Sequence, residues 1–179
     1  MKSCAFREIA FIDPAISHLD LFVAGLRPGI EAVLLPRDRD ALAEIASVLE
    51  GSAGLDAIHI VAHGGPLNIK TIDEHTDELA QIGDALSCDG TILLWSCETG
   101  AGWQGACFVE ALERATAGEI AASSGRIGAA SQGGKWDFGT KRFIAAQAPL
   151  TTAAIQTYEG VMVSITAGTW NGALTPNEQ

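Results

Sequence analysis

Short apolar segments alternate with segments of helical periodicity along most of the chain, and this alternation constrains the fold more than any other feature. Strands separated by helices usually pair in parallel, and both faces of such a sheet are buried. The sequence therefore predicts an α/β fold with a mainly parallel six-stranded sheet flanked by helices. The predicted strands are 8–13, 31–36, 57–62, 91–96, 119–123 and 141–145, and the predicted helices are 15–25, 39–50, 71–86 and 103–117.

The composition fits one domain with a substantial core. The chain has 179 residues, of which 47% are hydrophobic and 18% are charged. This length is typical of a single domain, and the apolar content is sufficient to bury a core. We expect the domain to span residues 1–163. Residues 164–179 show weak periodicity and are expected to form an extended arm or a flexible end.

The charge of the chain limits its partners. The formal net charge is -11, with 22 acidic residues against 11 basic residues. An acidic surface repels phosphate, which disfavours nucleic acid and anionic membranes. No apolar run approaches the roughly 20 residues of a membrane span, and the first residues lack an apolar signal segment. We expect synthesis in the cytoplasm, and export by a signal outside this segment stays open.

Two reactive side chains follow neighbouring predicted strands. His63 comes directly after strand 57–62, and Cys97 comes directly after strand 91–96. Adjacent strands lie about 4.8 Å apart, so an imidazole and a thiol at the same sheet edge can approach each other. A nearby imidazole activates a thiol as a nucleophile, and the backbone N–H of Gly64 is placed to stabilise an oxyanion. The alternative is that the histidine is a polar edge residue and the cysteine a small filler.

Other histidines and cysteines give weaker signals. His59 and His63 point to one face of the same strand, but only Cys88 and Cys97 are near enough in sequence to complete a zinc site. We therefore predict no metal and no cofactor, and we expect His59 to be a hydrogen-bonded core histidine. Three cysteines are expected to be small buried or half-buried residues: Cys4, Cys88 and Cys107.

Asp13 ends the first predicted strand, at the same sheet edge as His63. Its carboxylate has two possible roles that the sequence does not separate. It orients the imidazole of His63, or it caps the turn at residues 15–17.

The two strand-end motifs carry a family resemblance. An apolar block ending in His63-Gly64 and a later one ending in Ser96-Cys97 resemble the caspase-like superfamily of cysteine peptidases, which includes caspases, legumain, gingipains, clostripain and separase. A closer resemblance, over roughly residues 8–140, is to DUF4347, a domain found near the N-termini of large bacterial surface and repeat proteins. The matching stretches are 9–13, 55–64, 93–97, 105–109, 120–123 and 133–137.

This resemblance implies a caspase-like three-layer sandwich and a cysteine endopeptidase acting on a peptide or protein substrate. Cys97 would attack the scissile carbonyl and His63 would handle the proton. Self-processing or maturation of a bacterial protein is the expected context. The alternative is a non-catalytic module that serves binding or assembly in a surface or secretion system.

Three charged residues are candidates for substrate recognition. Arg126 is the charged residue of loop 124–134, and its guanidinium would pair with an Asp or Glu at the cleavage position. Glu98 and Asp137 would instead favour a basic residue. A solvated loop charge is the alternative for Arg126. The oligomeric state is not indicated by the sequence.

Overall fold

The computed structural model describes residues 7–63, 69–138 and 148–162. Helices follow strands throughout this part of the chain, as the alternating pattern predicts. The elements in chain order are β1 (Glu8–Ile12), α1 (Leu19–Ala24), β2 (Ile30–Leu34), α2 (Ala41–Leu49), β3 (Leu55–Val61), α3 (Ile69–Glu74), α4 (Thr76–Asp84), β4 (Leu86–Trp95), α5 (Gly102–Thr116), β5 (Glu119–Ala122), a short 3-10 helix (Ala130–Gln132) and α6 (Thr152–Thr157).

The five strands form one parallel sheet with the order β2-β1-β3-β4-β5. The predicted parallel sheet flanked by helices is confirmed. Five strands, not six, are present in the described residues. The predicted strand at 141–145 and the predicted tail at 164–179 lie outside those residues, so both stay predictions.

The sheet separates two cores, giving three layers. On one face, aliphatic side chains of the strands pack against helices α2, α3, α4 and α5. On the other face, Trp95 and its neighbours pack against α1 and against the chain that follows β5, including Phe138, Tyr158 and Met162. Burial on both faces explains why β1 is buried along its whole length. None of the helices in the described ranges is long and apolar enough to cross a bilayer.

Two predicted helices differ from those observed. The helix predicted at 15–25 begins only at Leu19, because the chain first turns at Asp13 and Pro14 and His18 adopts a left-handed conformation with φ of 54°. The helix predicted at 71–86 is divided into α3 and α4 at His75, whose φ of -123° is not helical. Both breaks depend on backbone geometry that apolar periodicity does not report.

The strand order places a crevice at the carboxyl edge of the sheet. The chain leaves β1 toward β2 on one side and later returns to β3 on the other, so the direction of winding changes between β1 and β3. In open α/β sheets ligands bind at such a switch point, beyond the carboxyl ends of the strands. Asp13 and His63 follow the two strands that border it.

Candidate functional site

His63 and Cys97 lie at the same edge of the sheet, on neighbouring strands. Val61 of β3 pairs with Trp95 of β4, and each candidate residue stands two positions beyond that pair. Cys97 packs with Val61 and Trp95 in one core, whereas His63 lines a cavity with Ile60 and Leu94, which pack in the core on the other face of the sheet. The structure thus brings the two residues to the same sheet edge, and the hydrogen bonds of each side chain go elsewhere.

The imidazole of His63 is anchored through one nitrogen only. Its Nε2 lies 3.0 Å from the carbonyl oxygen of Ala15. A carbonyl only accepts, so Nε2 carries the proton and the lone pair of the neutral ring is on Nδ1. Nδ1 is buried and has no hydrogen-bond partner among the described residues. A ring held in this way has its basic nitrogen free for proton transfer.

Asp13 helps to form this anchor. Its Oδ1 accepts a hydrogen bond of 2.8 Å from the N–H of Ala15, whose carbonyl holds His63. The capping role left open by the sequence is therefore observed. Burial raises the pKa of Asp13, and the hydrogen bond from the Ala15 N–H opposes that effect. Oδ2 is buried without a partner in the described part of the chain.

The thiol of Cys97 is shielded. The residue is 1% exposed. Its Sγ accepts a hydrogen bond of 3.2 Å from the N–H of Ile127 and donates one of 3.7 Å to the carbonyl of the same residue. Burial raises the pKa of the Cys97 thiol; the hydrogen bond from Ile127 and the charge of Arg126 work against this, and Glu98 reinforces it. In this conformation the group is a neutral thiol and not a thiolate.

The remaining predicted site residues differ in their placement and in their contacts. Gly64 lies outside the described residues. Arg126 is exposed, and its Nη1 is 3.4 Å from the carbonyl of Gln132. Glu98 is exposed and has a left-handed backbone with φ of 58°, and its N–H donates to the carbonyl of Gly125. Asp137 is also exposed. Two of the three specificity candidates, Arg126 and Glu98, thus stand near enough to act electrostatically on the thiol.

A buried polar network beneath the site was not predicted from the sequence. The indole N–H of Trp95 donates to Nδ1 of His59 at 2.9 Å. Nε2 of His59 then donates to Glu8 at 2.8 Å, and Arg27 binds both oxygens of the same carboxylate. His59 is confirmed as a hydrogen-bonded core histidine that is 0% exposed. The sequence signal that could have indicated such a partner is Glu8, a glutamate at the start of an otherwise apolar strand.

The protonation states in this network follow from its donors. Because Trp95 donates to Nδ1, His59 is neutral, and burial lowers its pKa against the opposing attraction of Glu8. Burial alone would raise the pKa of Glu8, but the hydrogen bonds from His59 and Arg27 prevail and lower it. Both ring nitrogens of His59 are occupied, so this histidine is not available to a metal.

A small apolar cavity lies at the same sheet edge, on the face opposite Cys97. Its volume is about 50 Å³, and its polar lining residues are His63, Thr71, Ser96, Thr99 and Thr116. The rest of the lining is mainly aliphatic and comes from β3, β4 and helices α2 to α5. A space of this size accommodates one small group.

Comparisons with known proteins give a family but no activity. A family model described as "Domain of unknown function (DUF4347)" matches residues 9–162. A search of curated proteins found no match. A solved structure described as a small-chain dehydrogenase matches with a TM-score of 0.33 and 11% identity, over 60% of this chain and 72% of its own. That similarity is too low to support an argument, and no comparison links the chain to the caspase-like superfamily.

Proposed function

The chain belongs to the DUF4347 family, and we propose that it is a caspase-like cysteine endopeptidase with His63 and Cys97 as its catalytic dyad. One observation carries the proposal. The Nε2–H of His63 is fixed on the carbonyl of Ala15, which leaves a buried, unpartnered Nδ1 among the described residues. Cys97 follows the adjacent strand in matching register.

The proposed chemistry forms a thioester on Cys97 and then hydrolyses it. Sγ of Cys97 attacks the scissile carbonyl carbon, its proton passes to Nδ1 of His63, and Nδ1 then protonates the leaving amine as the C–N bond breaks. Water hydrolyses the thioester, giving a carboxylic acid and restoring the thiol. The backbone N–H of Gly64 retains its predicted role toward the oxyanion. For attack to occur, the thiol must leave its hydrogen bonds with Ile127.

Isosteric replacement of the nucleophile tests the proposal. Cys97→Ser keeps a group that exchanges hydrogen bonds with Ile127, so folding should be retained, whereas turnover of a fluorogenic peptide library should fall at least about 100-fold. Cys88 is exposed, so the prediction that it is buried or half-buried was wrong. Cys88→Ser is therefore the matched control and should retain full activity. His63→Ala should lose most activity as well. Full turnover by folded Cys97→Ser would contradict the assignment.

The same library addresses specificity. If Arg126 binds the residue before the scissile bond, cleavage follows Asp or Glu and is lost in Arg126→Ala. Cleavage after Lys or Arg that is unchanged in Arg126→Ala would instead assign recognition to Glu98 and Asp137. The exposed position of Arg126 and its influence on the thiol support testing it first.

A second candidate function is a non-catalytic binding or assembly module. The shielding of Cys97 favours it, because a thiol that is 1% exposed and hydrogen-bonded to backbone resembles a structural cysteine. A peptidyl electrophile separates the two functions. Covalent modification of Cys97 that requires His63 supports the peptidase. Absence of both modification and cleavage, in the unaltered protein and in Gly128→Ala, whose added Cβ displaces the backbone of residues 160–161 beside Ile127, supports the module.

A further inference from the structure

We infer that the segment Gly160–Met162, here called the strap, holds Ile127 against Cys97 and keeps the thiol inaccessible until the strap is displaced. The inference deepens the proposed function by giving that site a latent resting state. The solvent accessibility of the Cys97 thiol can be measured whether or not the protein cleaves peptides.

The backbone of Ile127 forms the wall over the thiol. Ile127 is 0% exposed, and both of its peptide groups exchange hydrogen bonds with Sγ of Cys97. The wall is therefore made of main chain and cannot be removed by rotation of a side chain. Exposure of Cys97 requires movement either of the cysteine itself or of the chain around Ile127.

The strap fixes the chain around Ile127 by antiparallel pairing. The N–H of Met162 donates to the carbonyl of Ile127 at 2.9 Å, and the N–H of Ala129 donates to the carbonyl of Gly160 at 2.8 Å. Gly128 pairs with Val161 between these two bonds. The carbonyl of Ile127 thus accepts from both the strap and the Cys97 thiol, which connects the strap directly to the nucleophile.

Gly128 permits this close pairing. Its φ is +133°, which L side chains rarely adopt, and a Cβ at this position would lie 2.4 Å from the carbonyl oxygen of Gly160 and 2.6 Å from Cα of Val161. Both of these atoms belong to the strap backbone. Any side chain at position 128 must therefore push the strap away from the wall.

Tyr158 anchors the start of the strap from a different direction. Its hydroxyl donates to the carbonyl of Ser17 at 2.6 Å, and its ring packs edge-on against Phe22 of α1. The side chain of Gln132 adds a hydrogen bond to the carbonyl of Glu159. The residues just before the strap are therefore bonded to the layer containing α1, and the strap itself is bonded to the chain around Ile127.

Alkylation of Cys97 tests the inference directly. Native protein is treated with iodoacetamide, and labelling of each cysteine is followed by mass spectrometry, with exposed Cys88 as the internal reference. In the unaltered protein Cys97 should react at least about tenfold more slowly than Cys88. Gly128→Ala should accelerate labelling of Cys97 at least about fivefold and leave Cys88 unchanged.

The control and the fallback use the same chain. Gly125→Ala lies in the same loop, where a Cβ would meet nothing within 4 Å, and should leave the Cys97 rate within about twofold. If Gly128→Ala does not fold, Tyr158→Phe decides, because it removes the anchor to Ser17 and keeps the ring; it should also accelerate labelling of Cys97.

Two results would overturn the inference. One is labelling of Cys97 in the unaltered protein as fast as that of Cys88. The other is an unchanged Cys97 rate in a folded strap variant. Loss of the peptidase proposal, shown by turnover in Cys97→Ser, would leave the labelling result intact, so the two failures are distinguishable.

Discussion

Replacement of His59 by glutamine should cost stability at neutral pH and much less in mild acid. The imidazole accepts from Trp95 through Nδ1 and donates to Glu8 through Nε2. A glutamine amide has its nitrogen near the position of Nε2, so it can keep the bond to Glu8 but not the one to Trp95. The indole N–H, on a residue that is 0% exposed, is left without an acceptor. An unsatisfied buried donor costs about 1–3 kcal/mol.

The pH dependence follows from the direction of the pKa shift. Burial lowers the pKa of His59 in the folded state below its usual value of about 6.5. Below that pH the unfolded chain binds a proton that the folded protein excludes, so the unaltered protein loses stability as the pH falls. The slope for one group is at most about 1.4 kcal/mol per pH unit. Glutamine does not titrate, so the difference between the two proteins should shrink in acid.

Urea unfolding followed by far-UV circular dichroism at pH 7.5 and pH 5.5 measures both effects. We expect His59→Gln to lower the free energy of unfolding by about 2 kcal/mol at the higher pH, with the deficit reduced by about 1 kcal/mol at the lower one. His75→Gln, which replaces a histidine outside the network, should change stability by less than about 0.5 kcal/mol. A deficit that is equal or larger at pH 5.5 would refute the neutral, doubly bonded state of His59.

Two further predictions concern packing and ionisation. Gly83→Ala should lower the free energy of unfolding by more than about 2 kcal/mol in the same urea assay, because its Cβ would lie 1.8 Å from the carbonyl oxygen of Thr116; near-neutral behaviour would show that α4 and α5 are not packed this closely. Burial raises the pKa of Tyr158, the one tyrosine of the chain, to about 12. Its absorbance at about 295 nm should therefore titrate near pH 12 in folded protein and near pH 10 in urea. Because the folded pKa is raised, stability should fall as the pH rises through this interval, and titration near 10 in folded protein would exclude the buried hydroxyl.

The parallel sheet was predictable because most of its strands are recognisable from their local sequence pattern. Strand β1 and strand β5 were each predicted to within one residue, since a strand buried on both faces is an apolar run with clear ends. Strand β4 begins five residues earlier than predicted, at Leu86, and its pairing with β3 shifts register between Leu55 and Ala57. Residues 86–90 include three polar or small residues and form no apolar run, so the sequence pattern does not indicate that they belong to the strand.

The site was predictable in placement but not in state. The positions of His63 and Cys97 at one sheet edge follow from the strand ends. The contact that shields the thiol comes from Ile127, 30 residues further along, and is completed by Met162. Contacts through backbone N–H and C=O groups are open to any residue type, so neither partner carries a signal in its identity. Sequence therefore indicated which two residues lie at the sheet edge and not which of them is covered.

The order of pairing along the chain has a consequence during synthesis on the ribosome. In the described sheet every pairing except that of β1 with β3 joins strands that are consecutive in sequence, so each can form soon after the next strand emerges. The sheet with Cys97 at its edge is complete once β5 has left the exit tunnel, whereas Met162 follows 40 residues after Ala122. At a rate of about 5–20 residues per second, the nascent chain thus passes through an interval of a few seconds before the strap can pair with the chain around Ile127.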